Sequence, residues 1–225
     1  MVILDSHSIA SIGCSCINQF QIEFFFEEKP IVKEFAGSVF DWNVVTPQST
    51  LDFFHYVNSG DIKQVMCDSR NYCVEGGRLK NTVFEGFYFW HENVSAFAED
   101  ESVRQDFLSK VSHLVDNLLS LQGKANSIFL WSNLQPNLKI ATYSRPFPWE
   151  TFRLTQDRYE KITEAVAATF HKDARVLFTT RSEDVDNNVM ALRDVITFYL
   201  GRGMDFSGPP TLYDGIFEVI LAAAP

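Results

Sequence analysis

Short, largely apolar segments alternate with amphipathic ones along this chain, and that alternation limits the folds it can adopt. The segments S-I-F-L-W at 127–131 and R-V-L-F-T-T at 175–180 have the length and apolar character of strands that are buried on both faces. Between them, Thr155 has the form of an N-cap for a helix that runs to about Phe170. Buried strands separated by a helix predict an α/β fold, with a mostly parallel sheet flanked by helices.

The clearest helix begins at Asp100 or Ser102 and ends at Gly123. Its apolar residues recur three and four positions apart and therefore fall on one stripe, which comprises Val103, Phe107, Leu108, Val111, Leu114, Val115, Leu118 and Leu119. A glycine after the last apolar residue is a common helix end, because glycine tolerates the left-handed conformation found there. We expect the apolar stripe to be buried.

The remaining elements are predicted from shorter patterns. Thr46 and Pro47 have the form of an N-cap and a first helical residue, which predicts a helix over residues 48–58. The other predicted helices cover 17–26 and 188–200, and the predicted strands or extended segments cover 8–13, 63–67, 82–91 and 216–221. The chain has 225 residues, and we expect a single α/β domain over residues 1–225.

Composition and charge exclude several classes of protein. The formal net charge is −10, from 19 basic and 29 acidic residues, whereas a nucleic-acid partner requires a basic face. No run approaches the roughly 20 apolar residues of a membrane span. The first residues, M-V-I-L-D-S-H, have neither the basic region nor the long apolar region of a secretory signal. We therefore expect a cytoplasmic protein with no nucleic-acid partner and no membrane span, in a compartment where thiols stay reduced.

The stretch S-I-G-C-S-C at 11–16 lies where the first predicted strand ends and the first predicted helix begins. Sites in parallel sheets lie beyond the carboxyl ends of the strands. A thiol at a helix N-terminus has a lowered pKa, because the helix dipole stabilises the thiolate. Gly13 allows a tight turn, and backbone N–H groups of the turn, including that of Cys14, are candidates for holding an oxyanion. The alternative is that Cys14 and Cys16 are small residues packed in the core.

A metal site and a redox pair are weaker interpretations of the cysteines. The C-x-C of Cys14 and Cys16 is followed about fifty residues later by Cys67 and Cys73. Structural zinc sites use C-x₂₋₄-C pairs and thioredoxin-like proteins use C-x-x-C, and these cysteines have neither spacing. We therefore predict no metal ligands and no disulfides.

A thiolate nucleophile needs a base, which is usually histidine. The chain has five histidines: His7, His55, His91, His113 and His171. His91 is the best placed, because it ends the aromatic segment F-Y-F-W-H and precedes polar residues. The group that orients its ring is left open among Asp41, Glu92, Asn93 and Asn133. Asp41 stands out because Phe40 and Trp42 flank it, so its carboxyl is expected to be partly buried and to need a partner.

Three motifs follow one another in the first half of the chain. They are S-I-G-C-S-C at 11–16, F-D-W at 40–42 with T-P at 46–47, and F-W-H-E at 89–92. Together they resemble a bacterial family of unknown function that is described as papain-like cysteine peptidases, whose pattern is S-L-G-x-x-C, then P-F-D-W with a T-P helix start, then F-x-H-D. The resemblance covers about residues 8–185. Val39 and Glu92 depart from it, since they stand where the family has Pro and Asp.

The resemblance implies roles for individual residues. Cys16, rather than Cys14, matches the cysteine of the first motif and is the implied nucleophile, and His91 matches the histidine of the third. The other matches are Ser11 and Gly13 in the turn, with Asp41 and Trp42 in F-D-W. More distantly, the layout is similar to that of capsule-polysaccharide acetyltransferases with a cysteine at the same strand-to-helix turn.

These observations lead to two hypotheses. In the first, a Cys16 thiolate activated by His91, with Asp41 or Glu92 orienting the ring, carries out acyl chemistry as a papain-like peptidase or other hydrolase, or as an acyltransferase in polysaccharide metabolism. The substrate is then a small molecule, a peptide or a glycan; no cofactor is required, and an acyl-CoA is the donor if the enzyme is a transferase. In the second, a non-catalytic α/β module binds a carbohydrate or glycan precursor on the aromatic side chains Phe87, Tyr88, Phe89, Trp90 and Trp149. Aromatic segments of this kind are more often part of the hydrophobic core than of a binding site.

Overall fold

Strands and helices alternate along most of the chain. The computed structural model describes residues 8–14, 16–28, 37–134, 147–198 and 211–222. The strands are β1 (Ser8–Ser11), β2 (Asn43–Val45), β3 (Tyr72–Glu75), β4 (Arg78–Asn81), β5 (Phe87–Phe89), β6 (Ser127–Ser132), β7 (Arg175–Arg181) and β8 (Val195–Phe198). The helices are α1 (Ile17–Glu28), α2 (Pro47–Ser59), α3 (Ile62–Cys67), α4 (Val94–Glu99), α5 (Glu101–Leu119), α6 (Gln156–Thr169), α7 (Asn187–Met190) and α8 (Asp214–Ala222).

A parallel sheet of four strands, in the order β1-β6-β7-β8, forms one half of the fold. Its register pairs Ile9 with Ile128, and Leu130 with Leu177. Side chains along these strands alternate between two cores: Ile128 and Leu130 pack with residues of α1 and α8, whereas Phe129 packs with residues of α2, α5 and α6. Both faces of the sheet are therefore buried, which confirms the predicted α/β fold with a parallel sheet flanked by helices.

A second, antiparallel sheet has the strand order β2-β5-β4-β3. The hairpin between β3 and β4 turns at Gly76 and Gly77, whose φ angles of 57° and 74° lie in the left-handed region that favours glycine. The G-G pair was a hairpin signal in the sequence that the prediction did not use. Of the extended segment predicted at 82–91, only Phe87–Phe89 is a strand.

The long helices begin where their caps predict. The side chains of Thr46, Asp100 and Thr155 each accept a hydrogen bond from a first-turn backbone N–H, at the starts of α2, α5 and α6. Helix α5 ends at Leu119, four residues before the predicted end at Gly123. Gly123 follows a short turn and has a φ of 79°.

Two segments predicted as strands are helices. Residues 63–67 lie in α3, where Ile62, Val65 and Met66 are buried with helical spacing. Residues 216–221 lie in α8, where Ile216 and Phe217 are buried. Both predictions were wrong because a short apolar run has the same composition in a buried helix as in a buried strand.

The predicted helix over 188–200 was also wrong. Helix α7 ends at Met190, and residues 195–198 form β8, paired in parallel with β7. The V-I-T-F sequence of β8 has the β-branched and aromatic residues that favour a strand. Residues 199 and 200 lie outside the described part of the chain. No helix in the described residues is long and apolar enough to cross a membrane.

Backbone hydrogen bonds at Cys14 join the two sheets. The Cys14 N–H donates to the carbonyl of Ser132 in β6 at 2.9 Å, and the Cys14 carbonyl accepts from the N–H of Val45 in β2 at 3.1 Å. Cys14 and Val45 form an antiparallel bridge. The turn after β1 is therefore shared by the parallel and the antiparallel sheet.

A buried polar network supports this turn from the side of α1 and α8. The Nδ2 group of Asn18 lies 3.1 Å from the Gly13 carbonyl oxygen and 2.9 Å from that of Leu130. The Tyr213 hydroxyl lies 3.2 Å from Asn18 Oδ1, and it also contacts Thr179 Oγ1 at 2.6 Å. Burial raises the pKa of Tyr213 to about 12, so this hydroxyl stays neutral. One tyrosine thus connects α8, β7 and the helix that follows the turn.

Replacing Tyr213 with Phe is expected to lower the free energy of unfolding by about 1–3 kcal/mol, because buried partners of the hydroxyl lose a hydrogen bond. Urea unfolding followed by circular dichroism measures the change. Tyr56→Phe is the matched control, since the Tyr56 hydroxyl has no hydrogen bond to any described residue, and it should change stability by less than about 0.5 kcal/mol. Equal effects of the two variants would contradict the structural role of the network.

Candidate functional site

The turn after β1 continues the pairing of β1 with β6. The N–H of Ile12 donates to the Leu130 carbonyl at 3.0 Å, and the N–H of Ser132 donates to the Gly13 carbonyl at 2.9 Å. Because the N–H of Cys14 is also engaged, this amide does not serve as the predicted oxyanion donor. Donors for an oxyanion would come from the first turn of α1 instead, since the first amides of a helix have no partner within it.

The two neighbouring thiols differ in their surroundings. Cys14 is wholly buried in the core, and burial raises its pKa well above the usual thiol value. This confirms the interpretation of Cys14 as a packed residue. Cys16 lies directly before α1 and is also buried, with 5% of its surface exposed. Ser11, the first residue of the motif, is buried, and its Oγ accepts a hydrogen bond from Asn18. Cys67 and Cys73 lie elsewhere, on α3 and β3, and all four cysteines are thiols.

The strand register brings the three sequence motifs side by side. Val45 of β2 bridges Cys14 on one side and pairs with Phe87 of β5 on the other. Two residues along β2, Asn43 pairs with Phe89. Cys14, strand β2 and strand β5 therefore lie side by side, with Cys16 two residues after the first, Asp41 two residues before the second and His91 two residues after the third.

Trp42 lies between the first helix and the histidine. Its ring packs edge-on against Phe20 of α1, with centroids 4.6 Å apart, and edge-on against His91 at 5.9 Å. Phe20 is one helical turn after Cys16, and its N–H donates to the Cys16 carbonyl at 3.3 Å. The φ of Trp42 is 63°, a left-handed conformation that is rare for a bulky residue. Strained backbone of this kind is concentrated at functional sites.

Asp41 is a buried carboxyl with one engaged oxygen. It is 5% exposed, and its Oδ2 accepts the Ser38 N–H at 2.6 Å. Its Oδ1 accepts no hydrogen bond from any residue in the described ranges. Burial raises the pKa of Asp41 well above its usual value and the nearby Glu23 raises it further, although the Ser38 N–H acts in the opposite direction. The surroundings therefore favour the neutral form of this carboxyl.

His91 is partly buried and favours its neutral form. Burial is the main reason that its pKa is lowered, and the positive charges of Arg78 and Lys110 lower it further, whereas Glu92 raises it. A neutral imidazole can accept a proton, as a general base must. In the part of the chain that the structure describes, no hydrogen bond joins His91 to Asp41 or Glu92. That one of these carboxyls orients the ring stays a prediction.

None of the other histidines in the described residues lines the cavity or contacts Trp42. His113 contacts Asn117 on the exposed side of α5, and His171 contacts Asp173 at the end of α6. His55 is exposed on α2. His7 lies outside the described residues.

A cavity of about 280 Å³ opens beside His91. Its lining includes five of the residues that the sequence selected: Asp41, Trp42, Phe89, His91 and Glu92. The remaining lining residues are Asn43, Lys110, Val111 and Leu114. Among the described residues that line it, Cys16 and the other residues of the first motif do not occur.

Sequence reasoning missed the contribution of α5 to this cavity. Val111 and Leu114 belong to the apolar stripe that was assigned to the core, and the adjacent Lys110 had the pattern of a solvated residue. Lys110 forms an ion pair with Glu92 at 2.7 Å. The position of Lys110 at the edge of the stripe was the only signal, and it does not distinguish a cavity wall from an ordinary surface.

The structure also places the two asparagines and several of the aromatic residues that the sequence selected. Asn133 is buried at the end of β6, where its Nδ2 donates to the Phe152 carbonyl, and Asn93 caps α4. Phe87, Tyr88 and Phe89 are buried. The side chain of Trp149 lies outside the described residues, and no group of three metal-ligating side chains occurs within them.

Comparisons with models of protein families, with curated proteins and with solved structures each return no match.

Replacing Asp41 with Asn is expected to change how stability depends on pH. Because the folded-state pKa of Asp41 is raised above its unfolded value of 3.8, the wild-type protein loses stability as pH rises from there through the folded-state value. Asp41→Asn removes this loss, so the difference in unfolding free energy, variant minus wild type, increases with pH by at most about 1.4 kcal/mol per pH unit.

Unfolding by urea at a series of pH values measures the difference. The matched control is Asp106→Asn, since Asp106 is an exposed residue of α5 and its replacement should give a nearly constant difference. A constant or decreasing difference for Asp41→Asn would show that the buried carboxyl is ionised in the folded protein.

Proposed function

We propose that the protein is a cysteine-dependent enzyme of acyl chemistry, with Cys16 as the nucleophile and His91 as the general base. The observation that carries the proposal is the register of the Cys14–Val45–Phe87 pairing, which makes the segments of the three motifs adjacent. Trp42 packs against both the helix that follows Cys16 and the ring of His91. Residues from separate parts of the sequence are thus gathered beside one cavity.

The reaction proceeds in two steps. His91 takes the proton of the Cys16 thiol, and the sulfur attacks the carbonyl carbon of the substrate, forming a C–S bond. The bond to the leaving group breaks, the leaving group takes the proton from His91, and an acyl-enzyme remains. Water then attacks the acyl-enzyme in a hydrolase, or a hydroxyl group of an acceptor does so in a transferase, and the thiol is restored.

The charge state of His91 suits this role. Its lowered pKa keeps the ring neutral near neutral pH, so that a nitrogen is available for the thiol proton. Cys14 does not compete as the nucleophile, because burial raises its pKa and its backbone is engaged on both sides. The first-turn amides of α1 are the candidate oxyanion donors.

The reaction class includes amide or thioester hydrolysis and acyl transfer to a hydroxyl, with substrates among small molecules, peptides and glycan precursors. As a transferase in polysaccharide metabolism, the enzyme would take its acyl group from an acyl-CoA. We assign the protein to the cytoplasm, because a reactive thiol persists in a reducing compartment.

A non-catalytic binding module is the second candidate. It is favoured by one observation, namely that the cavity is lined by His91 and Asp41 but not by Cys16. In this case the cavity binds a ligand and the thiols have no chemical role. Thiol reactivity distinguishes the two candidates.

Iodoacetamide is expected to label Cys16 faster than Cys14 near neutral pH, in a Cys67→Ser/Cys73→Ser background. This background is needed because Cys73 is exposed and would be labelled whatever its function. In the same background, His91→Gln should slow the labelling of Cys16 by about tenfold or more, since the base that takes the thiol proton is lost. Mass spectrometry of the digested protein gives the rate at each cysteine.

His113→Gln is the control for the loss of an imidazole, since His113 lies on the exposed side of α5, and it should leave the rate unchanged. The catalytic proposal fails if Cys16 is labelled no faster than Cys14, or at the same rate with and without His91. Circular dichroism spectra of all variants establish that they are folded.

A further inference from the structure

The cavity beside His91 is lined mainly by apolar groups, with a few polar ones between them. Trp42 and Phe89 form aromatic walls, and Val111 and Leu114 of α5 form aliphatic ones. A cavity of about 150 Å³ is large enough for benzene, so this one, at about 280 Å³, has room for a ring-sized apolar group and a small polar substituent.

The charged side chains around the cavity have partners of their own. The ammonium of Lys110 lies 2.7 Å from the carboxylate of Glu92, and the guanidinium of Arg78 lies over the ring of Trp90 at 4.5 Å. Glu23, which is near enough to raise the pKa of Asp41, accepts a hydrogen bond from Gln19. Because the two oppositely charged residues of the lining, Lys110 and Glu92, already pair with each other, a charged ligand would be desolvated here without a free counter-charge in the lining, which is unfavourable.

Besides His91 and the Glu92–Lys110 ion pair, Asp41 and Asn43 are the polar residues of the lining. The Ser38 N–H occupies Oδ2 of Asp41, so a proton on the neutral carboxyl is carried by Oδ1, which has no partner among the described residues. Buried polar groups nearly always have a hydrogen-bond partner, so an acceptor is missing at this position. Asn43 is fixed by a hydrogen bond from its Nδ2 to the Val39 carbonyl at 2.6 Å, which leaves its Oδ1 as an acceptor.

We propose that this cavity binds an uncharged carboxamide attached to a small apolar group, with the Asp41 carboxyl donating to the amide oxygen and Asn43 Oδ1 accepting from the amide N–H. A carboxamide has a hydrogen-bond acceptor and a donor group, which correspond to the donor and the acceptor in this lining. An ester or thioester offers only the acceptor. Binding of a carboxamide in this cavity does not depend on the Cys16 thiol. That a carboxamide is also the substrate rests on the proposed function, and it would select amides among the possible acyl substrates.

The test uses three probes of similar shape: benzamide, benzoate and benzylamine. They are titrated into the Cys16→Ser protein near neutral pH, and binding is followed by NMR at the Trp42 indole, whose resonance is assigned with Trp42→Phe. Benzamide is expected to bind about tenfold or more tightly than either charged probe. Tighter binding of benzoate or benzylamine, or no binding of benzamide at about 10 mM, would overturn the assignment.

Two substitutions test the donor. Asp41→Asn retains a hydrogen-bond donor at this position and should keep the benzamide affinity within about threefold, whereas Asp41→Leu should weaken it about tenfold. Asp106→Leu, at the exposed position on α5, is the matched control and should have no effect. Equal affinities in Asp41→Asn and Asp41→Leu would overturn the role of Asp41. The ranking of the three probes does not require Asp41→Leu to fold.

The outcomes separate this inference from the proposed function. If benzamide binds but the rate at which Cys16 is labelled does not depend on His91, the amide site is retained and the proposed enzyme is rejected. A reactive, His91-dependent Cys16 without benzamide binding would retain the enzyme and reject the amide site.

Discussion

The two backbone hydrogen bonds of Cys14 are the interaction on which the rest of the structure depends. They connect β6 of the parallel sheet to β2 of the antiparallel sheet through one residue. Through this connection the first motif, β2 and β5 lie side by side, although about 75 residues separate Cys14 from Phe89 in sequence.

The side-chain arrangement follows from this backbone framework. Trp42 turns through a left-handed conformation and places its ring against α1 and His91. The same turn buries the Asp41 carboxyl beside the Ser38 N–H, away from water. Burial then favours the neutral forms of both Asp41 and His91. In these forms Asp41 can give a proton and His91 can take one.

The sequence predicts the parts of the fold that have local signals. Buried strands such as β6 and capped helices such as α2 are recognisable, since alternation and caps are short-range patterns. The short apolar elements α3, β8 and α8 are not, because their composition fits either structure. Among site residues, Asp41, Trp42, His91 and Glu92 do line one cavity, whereas the share of α5 in it depends on tertiary packing that no local pattern encodes.

The central claim is that Cys16 and His91 act on each other, and an NMR titration of the His91 ring tests it most directly. A nearby thiolate stabilises the imidazolium form, so the pKa of His91 should be higher in the wild-type protein than in Cys16→Ser. Cys14→Ser, which replaces the packed neighbour, should leave the pKa of His91 unchanged. The same pKa of His91 in wild type and Cys16→Ser would contradict the account.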